Sequence, residues 1–237
     1  MTDNKAILIG HYGGDKTHCL AAWSSTFLEL NLEMPKQIED RVDVIINYIL
    51  ANSKRIRNID QLLEFLASEG HTSPFRFSTL HFVTTTEIAT HIQFLKHSVA
   101  LGAENAESAR YKELKEDKFY LPNDWLEYGE KGEFWYNTLK AQSDKLNKMY
   151  HNCLNDLIQA GMPKARAKES ARFFKMYNSQ LNSNKIMSFD GFIQIYKKRN
   201  LLSPSQKEIG DVLEQMLNEI KSIPDNPFKD SLKAFGV

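Results

Sequence analysis

The chain has 237 residues, 42% of them hydrophobic and 25% charged, so it can bury a substantial core without disulfide or metal staples. Lys and Arg number 30, as do Asp and Glu; this zero formal net charge argues against a general nucleic-acid binder but leaves room for a local cationic pocket. The only cysteines, Cys19 and Cys153, lie far apart, no apolar run reaches the roughly 18 residues a bilayer demands, and Ala6 to Ile9 is too short for a signal peptide. Together these point to a cytoplasmic protein with neither a membrane nor a nucleic-acid partner.

Taken in chain order, "KAILIGHYGG" reads as a short strand stopped by two glycines, which alone favour a tight turn over a phosphate cradle. "THCLAAWSSTFLEL" has helical spacing, with Leu20, Trp23 and Phe27 on one face. Pro35 leads into a second helix, Gln37 to Asn52, and Asp60 caps a third that Gly70 stops. "FRFSTLHFVTTT" alternates and is rich in aromatic and β-branched residues, which predicts a strand. "EIATHIQFLKHS" predicts a helix of about three turns. "AENAESARYKEL" fits helix or loop, and Pro122 makes "YLPNDW" extended or turning. The longest helical run is "GEFWYNTLKAQSDKLNKMYHNCLNDLIQAG", closed by Gly161; another helix begins at Pro163. "SFDGFIQIYKKR" is open between strand and helix, and Ser205 with Glu208 three residues on suggests a capping box for the last long helix. Helices outnumber strands, and the strands gather in the first half. The expectation is an α+β fold forming one compact domain over residues 1–237, with a small mixed or antiparallel sheet flanked by helices.

The familiar catalytic motifs are missing. There is no Gly-x-Ser-x-Gly elbow around Ser108, no P-loop and no Gly-x-Gly-x-x-Gly after a strand. His91 and His97 are six apart, which is not the spacing of a helical zinc pair. One stretch stands out. Gln93, Lys96 and His97 share a face if the helix continues, and Asn105, Ser108, Arg110 and Tyr111 follow closely. Lys96 suits an anion as a point charge, while Ser108 and Arg110 offer a hydroxyl and a guanidinium fork to phosphate oxygens. Spacing alone leaves this reading level with a solvated helix end and a charged surface turn.

The order Lys96-His97, Asn105, Ser108-x-Arg110-Tyr111 resembles the signature Arg-His-Arg-x-x-Ser-x-Asn-x-x-Ser-x-Arg-Tyr of the flavin-dependent thymidylate synthases, the ThyX family. "GHTSPF" is similar to the family's His-x-(Ser/Thr)-Pro-Phe, "GMPKARAKESARFF" to its Gly-x-Pro and Ala-Arg segment, and "FIQIYKKRNLLSPSQKEI" to the stretch that carries an essential Arg. The likeness runs from about Ala6 to about Ile220. It departs in several places. Lys96 and Ser98 replace two arginines. Two extra residues precede Ser108, so that Ala103 takes the place of the signature Ser, and Ala106 stands where many members have Glu. Arg76-Phe77 replaces a Glu-His pair, Asp190 falls where an Arg often serves the flavin, and Trp23 replaces another Arg.

The resemblance implies reductive methylation of dUMP to dTMP, with methylenetetrahydrofolate supplying carbon and NADPH supplying hydride through FAD, in a homotetramer. It implies that Gln93, Ser108, Arg110 and Arg172 bind the nucleotide, and that Arg199 binds its base and is the catalytic residue. His71, Lys96, His97, Asn105 and Gln194 would contact FAD, and no metal is implied. Losing a charge-assisted bond at Ser98 weakens flavin binding by about 1.5–3 kcal/mol, roughly ten- to a hundredfold. The departures leave open two further readings, a ThyX-fold enzyme with altered pyrimidine C5 chemistry and a non-catalytic nucleotide-binding homologue.

Overall fold

Strand β1, Lys5–Tyr12, ends in a turn that only glycine accommodates. Gly13 and Gly14 have φ of 76° and 150°, and a Cβ on Gly14 would lie 2.3 Å from the carbonyl oxygen of Pro227. The N–H groups here are spent on the protein: Gly14 donates to Thr17 Oγ1 and Asp15 to the Pro227 carbonyl. The glycine pair is therefore a packed turn, as its composition favoured. The computed structural model describes residues 3–24, 32–53, 57–97, 101–108, 110–202 and 206–237. The expectations placed on Phe27, Ser98 and Ser205 lie outside them.

Helices α1 (Asp15–Trp23), α2 (Arg41–Asn52) and α3 (Ile59–Ser68) follow. The second starts four residues later than Gln37, and Asn58 caps the third while Asp60 sits in its first turn. Gly70, at φ 71°, closes α3 as expected. The predicted strand from Phe75 is shorter at its start. Ser73–Arg76 forms a 3-10 turn around Pro74, and β2 runs over Thr79–Glu87 with Leu80, Phe82, Thr84 and Thr86 buried on one face. Helix α4, Ile88–Leu95, has two turns and is capped by the Glu87 side chain, which accepts from Thr90 N.

Residues Leu101–Ala106 form strand β3, where the sequence left only helix or loop open. Its partner is β4, Gln180–Met187, which has no apolar alternation and which the sequence did not announce. The sheet is antiparallel in the order β1-β2-β4-β3, so β3 is an edge strand. Pairing with β4 supplies what local propensity in "LGAENA" does not. The α+β class holds. A 3-10 turn at Asn123–Tyr128 leads into α5, Gly129–Gln159, the 31-residue helix that Gly161 terminates at φ 92°. Pro163 caps α6, Lys164–Ala171. "SFDGFIQIYKKR" is helical: Ser188 caps α7, Phe189–Tyr196, which passes into a π-helical turn over Lys197–Leu202. Helices α8 (Lys207–Lys221) and α9 (Lys229–Ala234) complete the chain.

The chain divides into two compact units. One comprises Met1–Ala6, Val83–Lys96 and Glu104–Asn184, and its core joins Tyr150 and Leu154 of α5 to Ala167 and Ala171 of α6. Tyr150 is fully buried and its hydroxyl accepts from the backbone of Leu114. The other comprises Ile7–Phe82, His97–Ala103 and Lys185–Val237. There α8 buries Ile209, Val212, Leu213, Met216, Leu217 and Ile220, a stripe at helical period, and Phe189 stacks on Phe228 at 5.4 Å between ring centres.

Candidate functional site

In the first unit, the end of β3 turns at Ser108 and packs against α6. The Ser108 Oγ accepts from Arg110 N at 3.3 Å, and the Ser108 carbonyl accepts from Tyr111 N and Lys112 N. Arg110 Nε lies 3.3 Å from Glu169 of α6, and Lys168 Nζ donates to the Tyr111 carbonyl at 2.9 Å. Two contacts thus tie the Ser108–Tyr111 turn to the helix whose C-cap is Arg172. Arg172 is exposed, with no hydrogen bond to its guanidinium among the described residues. Ser108 and Arg110 thus lie on a segment that touches the helix capped by Arg172, with the Arg110 guanidinium engaged by Glu169. Glu107 shapes the same turn. Burial would raise its pKa, but bonds from Lys112 Nζ and Asn182 N hold the carboxyl below its ordinary value.

Gln93 is half-buried on α4, Lys96 is the exposed C-cap of that helix, and Asn105 is exposed on β3. The strand's alternation turns Glu104 the other way, to within 3.3 Å of His91 Nδ1. The helical face proposed for Gln93 and His97 is not formed, because α4 ends at Leu95 and His97 lies beyond it.

His97 belongs to the second unit, where it meets Arg199. Arg199 Nε donates to His97 Nε2 at 3.1 Å. Burial, then the charges of Arg199 and Lys198, lower the His97 pKa, so the ring is a neutral acceptor that orients the guanidinium. Arg199 sits in the π-helical turn that follows α7. On α7, Gln194 Nε2 donates to Asp190 Oδ2 at 2.8 Å, one helical turn apart, and Arg76 Nε donates to the same oxygen at 2.8 Å. Two departures 114 residues apart in sequence are thus a bonded pair; only the i, i+4 spacing of Asp190 and Gln194 was legible beforehand. His71 is exposed after Gly70, and its ring has no hydrogen bond among the described residues.

The residues present fit a flavin. Asp190 is nearly fully buried, yet its Oδ1 has no hydrogen-bond partner. Beside it, Gln194 is exposed with its amide oxygen unused among the described residues. The exposed Gln194 amide oxygen suits an N–H group of a polar heterocycle such as a flavin. Among the described residues no cluster of His, Cys, Asp and Glu is arranged to hold a metal ion, and no helix is long and apolar enough to cross a membrane.

The molecule is an α+β protein with a four-stranded antiparallel sheet, and the comparisons identify its family. Residues 8–224 match the family described as Thymidylate synthase complementing protein, and the chain belongs to that family. It is 31% identical over 134 residues to the flavin-dependent thymidylate synthase of Pseudothermotoga lettingae, a match spanning 54% of this chain and 58% of that protein's length. It is 25% identical over 223 residues to the flavin-dependent thymidylate synthase of Streptomyces avermitilis, spanning 88% of this chain and 82% of that one. The fold is similar to that of the UMP/dUMP methylase PolB from Streptomyces cacaoi bound with 5-Br dUMP, with a TM-score of 0.74 at 19% identity, covering 99% of this chain and 95% of that chain. The same methylase bound with 5-Br UMP gives a TM-score of 0.70 at 17% identity, covering 100% and 95%.

Proposed function

We propose that this protein, acting as one domain over residues 1–237 and as a homotetramer, converts dUMP to dTMP by flavin-dependent reductive methylation. The carbon donor is methylenetetrahydrofolate and the reductant NADPH. The observation that supports this reading is the Ser108–Tyr111 turn pinned to α6, the helix capped by Arg172, within a chain of this family.

In this reading the Ser108 hydroxyl and the forks of Arg110 and Arg172 hold the uridylate phosphate, and Gln93 bonds the nucleotide. Arg199, oriented by the neutral His97, places a fixed positive charge at the pyrimidine carbonyl edge, where negative charge develops as the ring is activated. His71, Lys96, His97, Asn105 and Gln194 hold FAD. The flavin, when bound, supplies the redox chemistry that carries hydride from NADPH. The closed symmetric assembly gives the ligands grooves between subunits. The test is to purify the protein, add FAD, and follow NADPH oxidation and dTMP formation. The protein is expected to be yellow, and Arg199→Ala is expected to lower kcat about 100- to 1,000-fold, the usual loss for one transition-state donor. A colourless protein that ignores FAD and makes no dTMP sinks the proposal.

One observation favours a second reading, a different C5 chemistry on a pyrimidine nucleotide. A buried carboxylate, Asp190, engages Gln194 at the position where the resemblance expects an arginine serving the flavin. Product analysis with dUMP, UMP and dCMP separates the two readings, since dTMP from dUMP alone removes the second.

A further inference from the structure

In the first unit, the residues assigned to the nucleotide phosphate stand on two segments far apart in sequence: Ser108 and Arg110 after β3, and Arg172 at the end of α6. The first segment is a closed loop. It leaves β4 where Glu107 N donates to the Asn182 carbonyl at 2.9 Å, and rejoins it where Gln180 N donates to the Lys118 carbonyl at 3.0 Å. Lys112 bridges its two arms, 2.7 Å from Glu107 and 2.8 Å from Glu116. Compact loops whose ends meet in this way are frequently functional.

Asp117, at the return end of this loop, is held more firmly than a surface turn requires. Its backbone is left-handed at φ 48°, a conformation that is unfavourable for most residues and that Asp and Asn tolerate best. Asn147 Nδ2 donates to its carbonyl at 3.2 Å. Its carboxylate accepts from Lys175 Nζ at 2.9 Å and from His151 Nε2 at 3.0 Å. The Lys175 side chain is 5% exposed; its ammonium also donates to Asn147 Oδ1 at 2.7 Å and lies 4.4 Å from the centre of the Tyr150 ring. Lys175 N donates to the Arg172 carbonyl at 2.9 Å and caps the 3-10 turn Arg172–Phe174. One ion pair thus joins the loop that carries Ser108 and Arg110 to the turn that carries Arg172. Asn147, Tyr150 and His151 all belong to α5, so the pair is seated on a long, regular helix. A buried ion pair is a poor source of stability, because desolvation offsets the Coulombic gain; what it supplies is a fixed geometry between the segments that carry it.

We infer that Asp117 and Lys175 are positioning residues for the nucleotide phosphate: their pairing on α5 fixes where Ser108 and Arg110 stand relative to Arg172. They act through those three residues and not on the substrate itself. The inference rests on the nucleotide role proposed above for Ser108, Arg110 and Arg172, and deepens it by naming what sets the site's dimensions.

The test combines calorimetric titration of the full chain with dUMP and with FAD, and steady-state kinetics of the FAD-loaded protein. Asp117→Asn removes the charge and keeps a residue that tolerates the left-handed backbone; Lys175→Met removes the partner charge and keeps the length of the side chain. Each is expected to raise Kd and KM for dUMP about tenfold, the low end for one lost charge-assisted contact, with kcat and FAD affinity within threefold. Either single variant strands a charge, so Asp117→Asn/Lys175→Met, which strands neither, carries the decision. It should melt near the wild-type temperature and again lose about tenfold in dUMP affinity, because the two residues act as one unit. Wild-type affinity for dUMP in the double variant overturns the inference, and so does an additive loss of about a hundredfold. An equal loss of dUMP and FAD affinity, the mark of a merely structural role, also overturns it. Should the double variant not fold, Asp117→Asn decides by its dUMP and FAD affinities. Turnover of dUMP by the wild type, with KM unchanged in the variants, defeats this inference alone. Pair-dependent dUMP binding by a wild type that forms no dTMP defeats the proposed reaction alone, and a wild type that binds no dUMP defeats both.

Discussion

His18 shows how much one side chain contributes to this fold. It is fully buried, with Nδ1 2.9 Å from Ser231 Oγ and Nε2 2.8 Å from Ser78 Oγ, and its ring packs 5.1 Å from that of Phe75. Ser231 Oγ donates to Asp15 Oδ1, so its oxygen accepts from His18 Nδ1–H, and Nε2 in turn accepts from Ser78. The neutral tautomer is fixed, and burial pushes the pKa down to about 3. The unfolded chain, with an ordinary value near 6.5, takes up this proton first. Stability is therefore unaffected by His18 above about pH 6.5 and falls as pH drops from there towards 3, by up to about 5 kcal/mol at the lower end. His97, also shifted down by burial, acts in the same direction. Asp15, raised by burial, acts oppositely, its protonation favouring the fold as pH falls towards 3.8. Urea unfolding between pH 7 and pH 4 checks this. His18→Gln should flatten the slope, and an unchanged slope in that variant contradicts the assignment. His18 is a satisfied core histidine whose partners lie 60 and 213 residues away, beyond the reach of local pattern.

At the scale of elements, periodicity located the long helices well. Helix α5 covers the run ending before Gly161, and α8 carries an apolar stripe at helical spacing. Gly132 in α5 shows what such patterns omit. A glycine inside a helix costs about 1 kcal/mol relative to alanine, so substitution would ordinarily stabilise. Here a Cβ would stand 1.8 Å from the carbonyl oxygen of Trp125, because the 3-10 turn before α5 folds back onto the helix. Gly132→Ala is expected to destabilise by about 1–3 kcal/mol, the range for overpacking. Thermal melts of the variant check the sign, and a raised melting temperature would show that the turn yields easily. Strands were harder to read. β3 contains Gly102, Ala103 and Ala106, and β4 is largely polar, so neither has the β-branched alternation that revealed β2. Their signal lies in each other: Asn182 N and the Glu107 carboxylate, and Glu107 N and the Asn182 carbonyl, join the ends of the two strands.

At the scale of the whole molecule, zero net charge and a 27.3 kDa chain bear on assembly. A chain without net repulsion associates readily, and the proposed flavoenzyme places its ligands between subunits. Sedimentation equilibrium should therefore give about four times the chain mass at micromolar concentration, as expected of closed symmetric assemblies. A monomer that binds FAD and turns over dUMP would contradict that architecture. The cationic groups assigned to the nucleotide are few against 30 acidic residues, so binding of dUMP should weaken modestly with salt while nucleic acid is not retained.

The sequence by itself determined the α+β class, most helices, strand β2, the glycine turn after β1 and the resemblance carried by Ser108, Arg110 and Arg172. Those features depend on local periodicity, turn chemistry and short-range spacing, which a linear string preserves. Tertiary structure alone decided the pairing of β3 with β4, the meeting of His97 with Arg199, and the joining of Arg76 to Asp190. Each is a contact between residues about 75 or more positions apart, whose free energy comes from burial and hydrogen bonding that exist only once the chain has closed on itself.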